Sequence, residues 1–547
     1  MGKPLFFFSW FILCITPANA QVDTAWVRRY DGPVSGADQA FALFVDTDEN
    51  VYVAGRSTDV GIVNYDCLTI KYDTDGNELW TARYHYGAYD VASDVVVDHL
   101  GNVYITGYSW QTGTGNEDYI TIKYDADGNQ VWAQRYNGSG NATDVAQKLT
   151  IDLAGNVYVT GFSVNAGASY DYTTIKYNTD GATLWVRSYN GPANGNDRAY
   201  DLAVDGSGNI IVSGGALGTG TGWDMMTIKY NSGGDTLWVH QYNGPDSGND
   251  YTRDLEIDSA GNIYITGYSY EDIGVASWDY VTIKYDKYGN ELWVRRYDPI
   301  DFYDYANALA VDNKGNVYVT GWSYVDFIHD MDYCTVKYDS SGNEIWAKNF
   351  NGPGSYEDEA TDIAVDSSGN CYVTGRTWGF GTQNYTTVKY DSLGNILWVA
   401  FYDYGREDVA RAIKVSPSEN IYITGWSEGA GTNYDDFATI KLFSEEVGTA
   451  EEILTWQIKN QKNKLSWHFG SQKLDIFLHS PGYAKISVLN LLGQKIRNLY
   501  NGFLTEGLHS VIFDGNDNNG CKLVNGVYFV QLECSDYKEI EKVILLK

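Results

Sequence analysis

One phrase is written many times in this chain. "AVDNKGNVYVTGWS" at residues 310–323 returns as "VVDHLGNVYITGYS", "TIDLAGNVYVTGFS", "EIDSAGNIYITGYS" and "AVDSSGNCYVTGRT". The Gly of this phrase falls at Gly55, Gly107, Gly161, Gly214, Gly267, Gly321, Gly375 and Gly425. The period is about 53 residues, the mark of a repeat architecture in which each unit buries its neighbour. Two further markers keep the same beat. A T-I/V-K phrase carries Lys71, Lys123, Lys176, Lys229, Lys284, Lys337, Lys389 and Lys441. A Trp recurs at Trp26, Trp80, Trp132, Trp185, Trp238, Trp293, Trp346 and Trp398.

Each period holds four strand-like runs, for example 308–312, 316–323, 333–339 and 344–350. They are rich in Val, Ile, Thr, Tyr and Trp and bounded by turn residues. The D-x-x-G-N connections suit short antiparallel hairpins with Gly at positive φ. No 3.6-residue periodicity supports a helical solenoid. The expectation is all-β, an eight-bladed β-propeller of four-stranded blades. The last copy stops at "FATIKLF" (437–443) without its Trp strand, and "TAWVRRY" (24–30) precedes every other element. The frame predicts that this N-terminal strand closes the last blade and leaves no open edge there.

Composition narrows the class. Lys+Arg number 38 and Asp+Glu 71, a formal net charge of −33, which opposes binding to nucleic acid. Residues 1–20 read as a signal peptide, with an apolar run after Lys3 and a small-x-small site at Ala18–Ala20. No later stretch is apolar enough to span a bilayer. The expectation is a protein secreted to the extracellular space or the outer surface of a bacterium. Five cysteines remain after Cys14 leaves with the leader, and no CxxC occurs, so no zinc site is indicated. A Cys521–Cys534 bridge is open.

The repeat, D-x-A-x-D-I-A-V-D-x-x-G-N-V-Y-V-T-G-Y-S followed by D-Y-x-T-I-K-Y-D-x-x-G-N-x-L-W-V-R-R-Y-N-G, resembles the SBBP family of bacterial β-propeller repeats over residues 24–443. It resembles the NHL type more distantly. That resemblance implies a propeller of secreted or surface proteins and no single activity. The propeller is placed at 21–443, an acidic linker at 444–452 and a C-terminal domain at 453–547. The tail alternates short strands with Gly/Asn/Asp turns, which predicts a small β-sandwich. "LLGQ", "FDGNDNNG", "NGVYF" and the last strand are similar to the C-terminal sorting domain of type IX (Por) secretion and to the FlgD-like Ig-type domain. The usual Pro-Asn-Pro-Phe entry is missing, so a purely structural Ig-like domain stays open. The sorting resemblance implies the secretion machinery as a partner.

Chemical motifs have plain readings. "GWSEG" (425–429) matches a nucleophile elbow, but Ser427 is one more copy of the T-G-Y-S serine and no strand-to-helix turn follows. "GTGTG" (218–222) lacks the Lys and helix of a phosphate loop. "DTDGN" (73–77), "DADGN" (125–129) and "DGNDNNG" (514–520) lack the bidentate Glu of a calcium loop and read as turns. No cofactor, metal or catalytic set is assigned.

Two Asp sets recur. Asp38, Asp90, Asp144, Asp197, Asp250, Asp304, Asp358 and Asp408 precede the first strands. Asp66, Asp118, Asp171, Asp224, Asp279, Asp332 and Asp436, with Asn384 in the remaining copy, open the third strands. First and third strands run the same way, so both sets lie toward the face of the long variable loops. A residue that every blade carries fits loop geometry, accepting backbone N–H groups. The functional alternative is an acidic face for cations or sugar hydroxyls. The T-I/V-K lysines fit between blades, with the stem on a Trp and the charge on an Asp. The expected function is a monomeric binding scaffold for a protein or glycan, not an enzyme. The alternatives are a polysaccharide-acting enzyme with loop-face carboxylates, or a structural envelope component.

Overall fold

The structure, a computed structural model, describes residues 24–443 and 464–545. Left outside are 35, 60–63, 111–114, 166, 168, 273–275, 301, 325–330, 353–356, 379–381, 405 and 429–433, and 469–472, 479–481, 491–493, 505–506, 514, 519–521, 525 and 535–536. The leader at 1–20, the linker at 444–452 and Cys521 therefore lie outside the described residues. The chain divides into two compact units between Glu445 and Glu446. The regular elements of both are strands. Among the described residues, no helix is long and apolar enough to cross a membrane.

The first unit is a β-propeller of about eight four-stranded blades. One blade comprises Asp304–Val311, Val317–Tyr324, Met331–Tyr338 and Glu344–Phe350, each antiparallel to the next. First strands of successive blades meet around the axis. There an Asp of one blade accepts the backbone N–H of the next: Asp94 from Leu149 at 3.0 Å, Asp201 from Leu255 at 2.9 Å and Asp362 from Ile413 at 2.8 Å. These bonds satisfy donors that the inner strand edge would otherwise leave open.

The repeated residues do repeated work. In the first hairpin of this blade, Asp312 Oδ1 accepts N–H groups of Lys314 and Asn316 at 2.9 Å, Oδ2 accepts Asn316 Nδ2 at 2.7 Å, and Gly315 sits at φ +77°. That turn needs a residue without Cβ strain. The Gly of the T-G step answers a different need. A Cβ on Gly321 would lie 1.9 Å from Tyr305 O, across a bulge in the first strand, and 2.9 Å from Tyr280 Oη of the preceding blade. Tyr280 itself donates to Cys334 O at 3.1 Å, so the Gly leaves room for a hydrogen bond between blades.

The Trp and Lys markers join each blade to the next. Trp293 lies between Tyr264 of its own blade and Tyr338 of the following one, at 6.3 and 6.1 Å between ring centroids. Its Nε1 donates to Ser340 O at 3.3 Å, and Lys284 Nζ reaches the same carbonyl at 2.9 Å. The Lys cation lies 4.9 Å from the Tyr264 ring centroid, and its cross-strand neighbour is Trp293. An Asp takes the charge of Lys229, from Asp205 at 2.9 Å. Lys176, Lys284 and Lys337 instead donate to a carbonyl of the next blade's turn, a correction to the expected carboxylate. A carbonyl serves because the Tyr face already stabilises the cation.

The ring is closed by the N-terminal strand. Thr24–Tyr30 pairs antiparallel with Asp435–Leu442 and becomes the outer strand of the last blade. Trp26 donates to Thr74 O of the first blade at 3.0 Å, as does Lys441 Nζ at 3.0 Å. Arg28 Nε reaches Gly76 O at 2.5 Å. The last blade also breaks the turn rule, with Ser416 where other blades have Asp. Glu49 of the first blade supplies the missing carboxylate, accepting from Ser416 Oγ, Asn420 Nδ2 and Tyr422 Oη at 2.7, 2.8 and 2.9 Å.

The second unit has a three-stranded sheet (Lys464–His468, Lys473–Leu478, Gly507–Ile512) and a four-stranded one (Gly482–Leu489, Lys495–Leu504, Gly526–Cys534, Tyr537–Leu545). Ile486, Val488, Phe513, Val530 and Leu532 are fully buried in its core. Cys67, Cys334, Cys371 and Cys534 are buried free thiols.

Candidate binding face

The two Asp sets and the serine of T-G-Y-S form one row across most blades, with Ala216 in place of the serine in one and Thr377 opposite Asn384 in another. Asp250, Ser269 and Asp279 lie opposite one another on three adjacent strands. Asp90–Ser109–Asp118, Asp144–Ser163–Asp171, Asp304–Ser323–Asp332 and Asp408–Ser427–Asp436 repeat this register. The row stands at the end of the blade from which the second-to-third-strand loops emerge.

The first Asp of the row accepts backbone N–H groups of the incoming connection. Asp38 takes Gly32 and Thr58 at 2.6 and 2.9 Å, and Asp144 takes Gly138 and Val164 at 2.6 and 2.9 Å. Asp197 takes Gly191 and Leu217 at 2.5 and 3.0 Å, and Asp358 takes Gly352 and Trp378 at 2.5 and 2.9 Å. Asp250 accepts from Gly244 at 2.7 Å, Asp90 from Tyr86 at 2.7 Å and Asp408 from Tyr404 at 2.9 Å. Burial raises Asp38, Asp197 and Asp250 to about 6, and these bonds hold them from going higher.

The third-strand Asp has a partner that the sequence reading did not name, the last Arg of W-V-R-R-Y. Arg135 binds Ser109 Oγ at 2.5 Å and Asp118 at 2.7 Å. Arg83 holds Ser57 and Asp66 at 2.7 and 3.0 Å, Arg296 holds Ser269 and Asp279 at 2.6 and 2.5 Å, and Arg29 holds Ser427 and Asp436 at 2.5 and 2.6 Å. Ser427 is thus a buried rung of the row. In the fourth blade, Gln241 takes the place of the Arg and donates to Asp224 at 2.5 Å. Ser188 stands there in the blade of Asp171, Asn349 in that of Asp332, and Phe401 in that of Asn384. The last pairing was legible in the sequence: where the Arg becomes Phe, the Asp becomes Asn and no buried charge is stranded.

Asp304 departs from its equivalents. It is 0% exposed, and among the described residues neither oxygen accepts a backbone N–H, with the Ser323 hydroxyl beside it. The Gly that caps five of the other copies from six residues upstream is Asp298 here, in "DPI" instead of "NGP". Tyr324 N–H, equivalent to the second donor, bonds Tyr303 O at 3.3 Å. Burial, with Asp298 and Asp279 nearby, raises Asp304 to about 8. Among the described residues, three groups bring metal-ligating atoms within 4.8 Å of one another: Glu271, Asp279 and Asp298; Asp31, Asp38 and Asp436; Asp59, Asp66 and His85. In each, a guanidinium already binds the third-strand Asp, from Arg296, Arg29 or Arg83.

One position away from the Asp row, three successive blades carry aromatic side chains. Trp223, Tyr251, Trp278, Tyr305 and Trp322 form a continuous line. Successive ring centroids are 6.0, 5.7, 6.0 and 4.2 Å apart, with interplanar angles of 31°, 32°, 33° and 20°. All five are partly exposed. Tyr268 packs behind the line, 4.3 Å from Tyr305, and receives Arg253 Nη2 on its hydroxyl at 3.1 Å. At the position of Trp278, blades outside the line have Tyr65, Glu117, Tyr170, Gln383 or Asp435, and at that of Tyr305 other blades have Gln39, Val91, Val145, Arg198, Glu359 or Val409. The signal available in the sequence was this change of residue type just beside each invariant Asp.

The repeated ring contacts define a β-propeller repeat protein. The SBBP "Beta-propeller repeat" family model matches residues 237–274, 300–328 and 346–381. The chain is 24% identical to an uncharacterized WD repeat-containing protein of Acanthamoeba polyphaga mimivirus, over 62% of this chain and 29% of the relative. It therefore spans less than a third of that relative's length. Among solved structures, it is similar to Chaetomium thermophilum Sqt1 bound to the N-terminus of ribosomal protein L10, with TM-score 0.48, 9% identity, and 78% and 99% of the two chains covered. It is also similar to Porphyromonas gingivalis PorZ, a surface component of the type-IX secretion system, with TM-score 0.37, 14% identity, and 94% and 76% covered. The β-propeller domain of the Pyrococcus furiosus trilobed protease gives TM-score 0.39, 10% identity, and 65% and 93% covered. Overlaps of this size carry no information on ligands.

Proposed function

We propose that this chain is a secreted or cell-surface binding scaffold whose loop face holds the ligand. The observation that carries the reading is the contrast within that face. The buried Asp–Ser–Asp row is kept in most blades, while residues one position away change type and form one unbroken line of five partly exposed aromatics over three successive blades. A rigid frame with a locally varied surface is how a repeat fold presents one site. The rival is an enzyme acting on polysaccharide through loop-face carboxylates. Binding is favoured because most of these carboxylates are engaged by backbone N–H groups or guanidinium, and Asp304 is sealed from solvent. The C-terminal unit, with its two sheets, is proposed as an Ig-type sorting domain that delivers the propeller through type IX secretion.

The four thiols described are buried, so in a Cys521→Ser background a single surface Cys can be modified selectively. A bulky polymer placed on Asp246→Cys, beside the loop face, should abolish saturable binding to whatever ligand a screen of surface proteins and glycans returns. The same polymer on Leu153→Cys, in a first hairpin and 100% exposed, should leave it intact. The reverse pattern refutes the reading, and turnover of a polysaccharide hit would favour the enzyme. Removing residues from Lys485 onward should leave the propeller folded and stop surface display. Normal display would refute the sorting assignment.

A further inference from the structure

We infer that the line Trp223–Tyr251–Trp278–Tyr305–Trp322 is a binding platform for a linear, uncharged polysaccharide. This rests on the reading of the loop face as the ligand face and names the ligand class.

Four observations lead there. The rings follow one another at 4.2–6.0 Å, Tyr305 and Trp322 stacked and the other neighbours tilted by 31–33°, so they extend in one direction as a partly exposed aromatic strip instead of enclosing a pocket for one small molecule. A ligand that uses such a line repeats a flat unit along its length. The line is built only of Trp and Tyr, side chains with a broad apolar face and a polar handle, which suit the C–H faces and hydroxyls of a pyranose better than the aliphatic surface of a peptide. The frame beneath is rigid. Trp278 pairs with Tyr303 across the blade junction, Tyr268 fills the space behind, and both Trp278 and Tyr305 flank buried Asp positions. The charge balance then selects among polymers with repeating flat units. At −33 the chain repels nucleic acid and polyuronates alike, and Glu271, Asp279 and Asp298 stand at the same blade junction. A neutral chain pays no such penalty.

The test uses the mature full-length protein. The probes are soluble β-glucan, xylan and galactomannan, with polygalacturonate as the anionic comparison, in affinity electrophoresis and calorimetry. At least one neutral polymer is expected to bind, with a blue shift of the tryptophan emission, and polygalacturonate is not. Trp278→Ala and Tyr305→Ala should each weaken that binding by about tenfold or more, the loss expected of a central aromatic anchor. Gln383→Ala, at the register of Trp278 in another blade, should leave affinity unchanged. Melting curves show whether each variant is folded. The emission shift of the wild-type protein tests the platform even if one variant is not. If a protein ligand or polygalacturonate binds instead, and the polymer on Asp246→Cys blocks it, the platform assignment falls while the loop-face reading stands. Neutral binding that survives both aromatic substitutions also overturns the assignment. If nothing in the screen binds at the loop face, both fall.

Discussion

On the hairpin face, every first-strand turn but one is closed by the same Asp with the same Asn, and six carry Gly at positive φ where Glu49 and Glu419 stand in the other two. The exception, at Ser416, borrows Glu49 from the neighbouring first blade. On the loop face, the equivalent Asp is capped by two backbone N–H groups in some blades, by fewer in others and by none at Asp304. The hairpin face is held by bonds that are local in the chain, four residues apart, so each copy can be kept independently. The loop face is held by connections between blades, whose length and composition vary. Uniformity thus marks where the repeat builds shape, and departure from it marks the face proposed to hold the ligand.

The largest effect is expected where the two faces meet, at ring closure. Deleting Gln21–Tyr30 removes Trp26, Arg28 and Arg29 and opens the edge of Asp435–Leu442. The melting temperature should fall sharply and oligomers should form through the bared strand. A monomer with unchanged melting would show that closure is dispensable. Next comes Gly321→Ala. Its Cβ would collide with Tyr305 O, which is backbone and cannot turn away, so a loss of about 4 kcal/mol or more is expected in denaturant unfolding. Gly115→Ala, with open space around it, is the comparison and is limited to the strain of its φ of +77°.

A smaller effect separates the Asp copies. By sequence alone, Asp197 and Asp304 are equivalent, and their loss should cost the same. Asp197→Ala strands the N–H of Gly191 and leaves that of Leu217 only the longer bond to Asn196 O, 3.3 Å, at about 1–3 kcal/mol. Asp304→Asn strands nothing and should be neutral or stabilising near pH 8. Equal destabilisation by both would return the face to the uniform picture.

The comparison also shows what a sequence of this kind discloses. The strands, the turn glycines and the closure frame follow from local pattern, because each rests on neighbours within one period. The Arg–Ser–Asp rung was half visible, since the Arg recurs in only some copies while its Asp recurs in almost all. The aromatic line was hidden. Trp223 and Tyr251 lie in different blades, and their stacking depends on how two blades sit side by side. The missing cap at Asp304 was written in "DPI" but acquires meaning only once the glycine of "NGP" is seen to donate its N–H.

The last and subtlest expectation concerns pH, where the two faces act in opposite directions. Burial raises Asp38, Asp197 and Asp250 to about 6, Asp279 to about 7 and Asp304 to about 8. A carboxyl whose folded pKa is raised adds stability that is fully present below its unfolded pKa and is lost as pH rises through the folded value. The loop face should therefore weaken the protein between about pH 5 and 8. On the hairpin face, burial would also raise Asp98, Asp152 and Asp258, but bonds from Asn102, Asn156 and Asn262 and from the turn amides outweigh it and lower all three. Glu49 is lowered to about 2 as the bonds from Ser416, Asn420 and Tyr422 overcome its burial. Stability from lowered groups is present above their unfolded pKa and is lost as pH falls through the folded value. Stability should peak at mildly acidic pH, with the melting temperature at pH 5 above that at pH 8.5. Asp304→Asn should flatten only the alkaline limb, and Asp258→Asn only the acid limb. Should one substitution change both limbs, the two faces would not be independent, and the division between a structural face and a binding face would lose its physical basis.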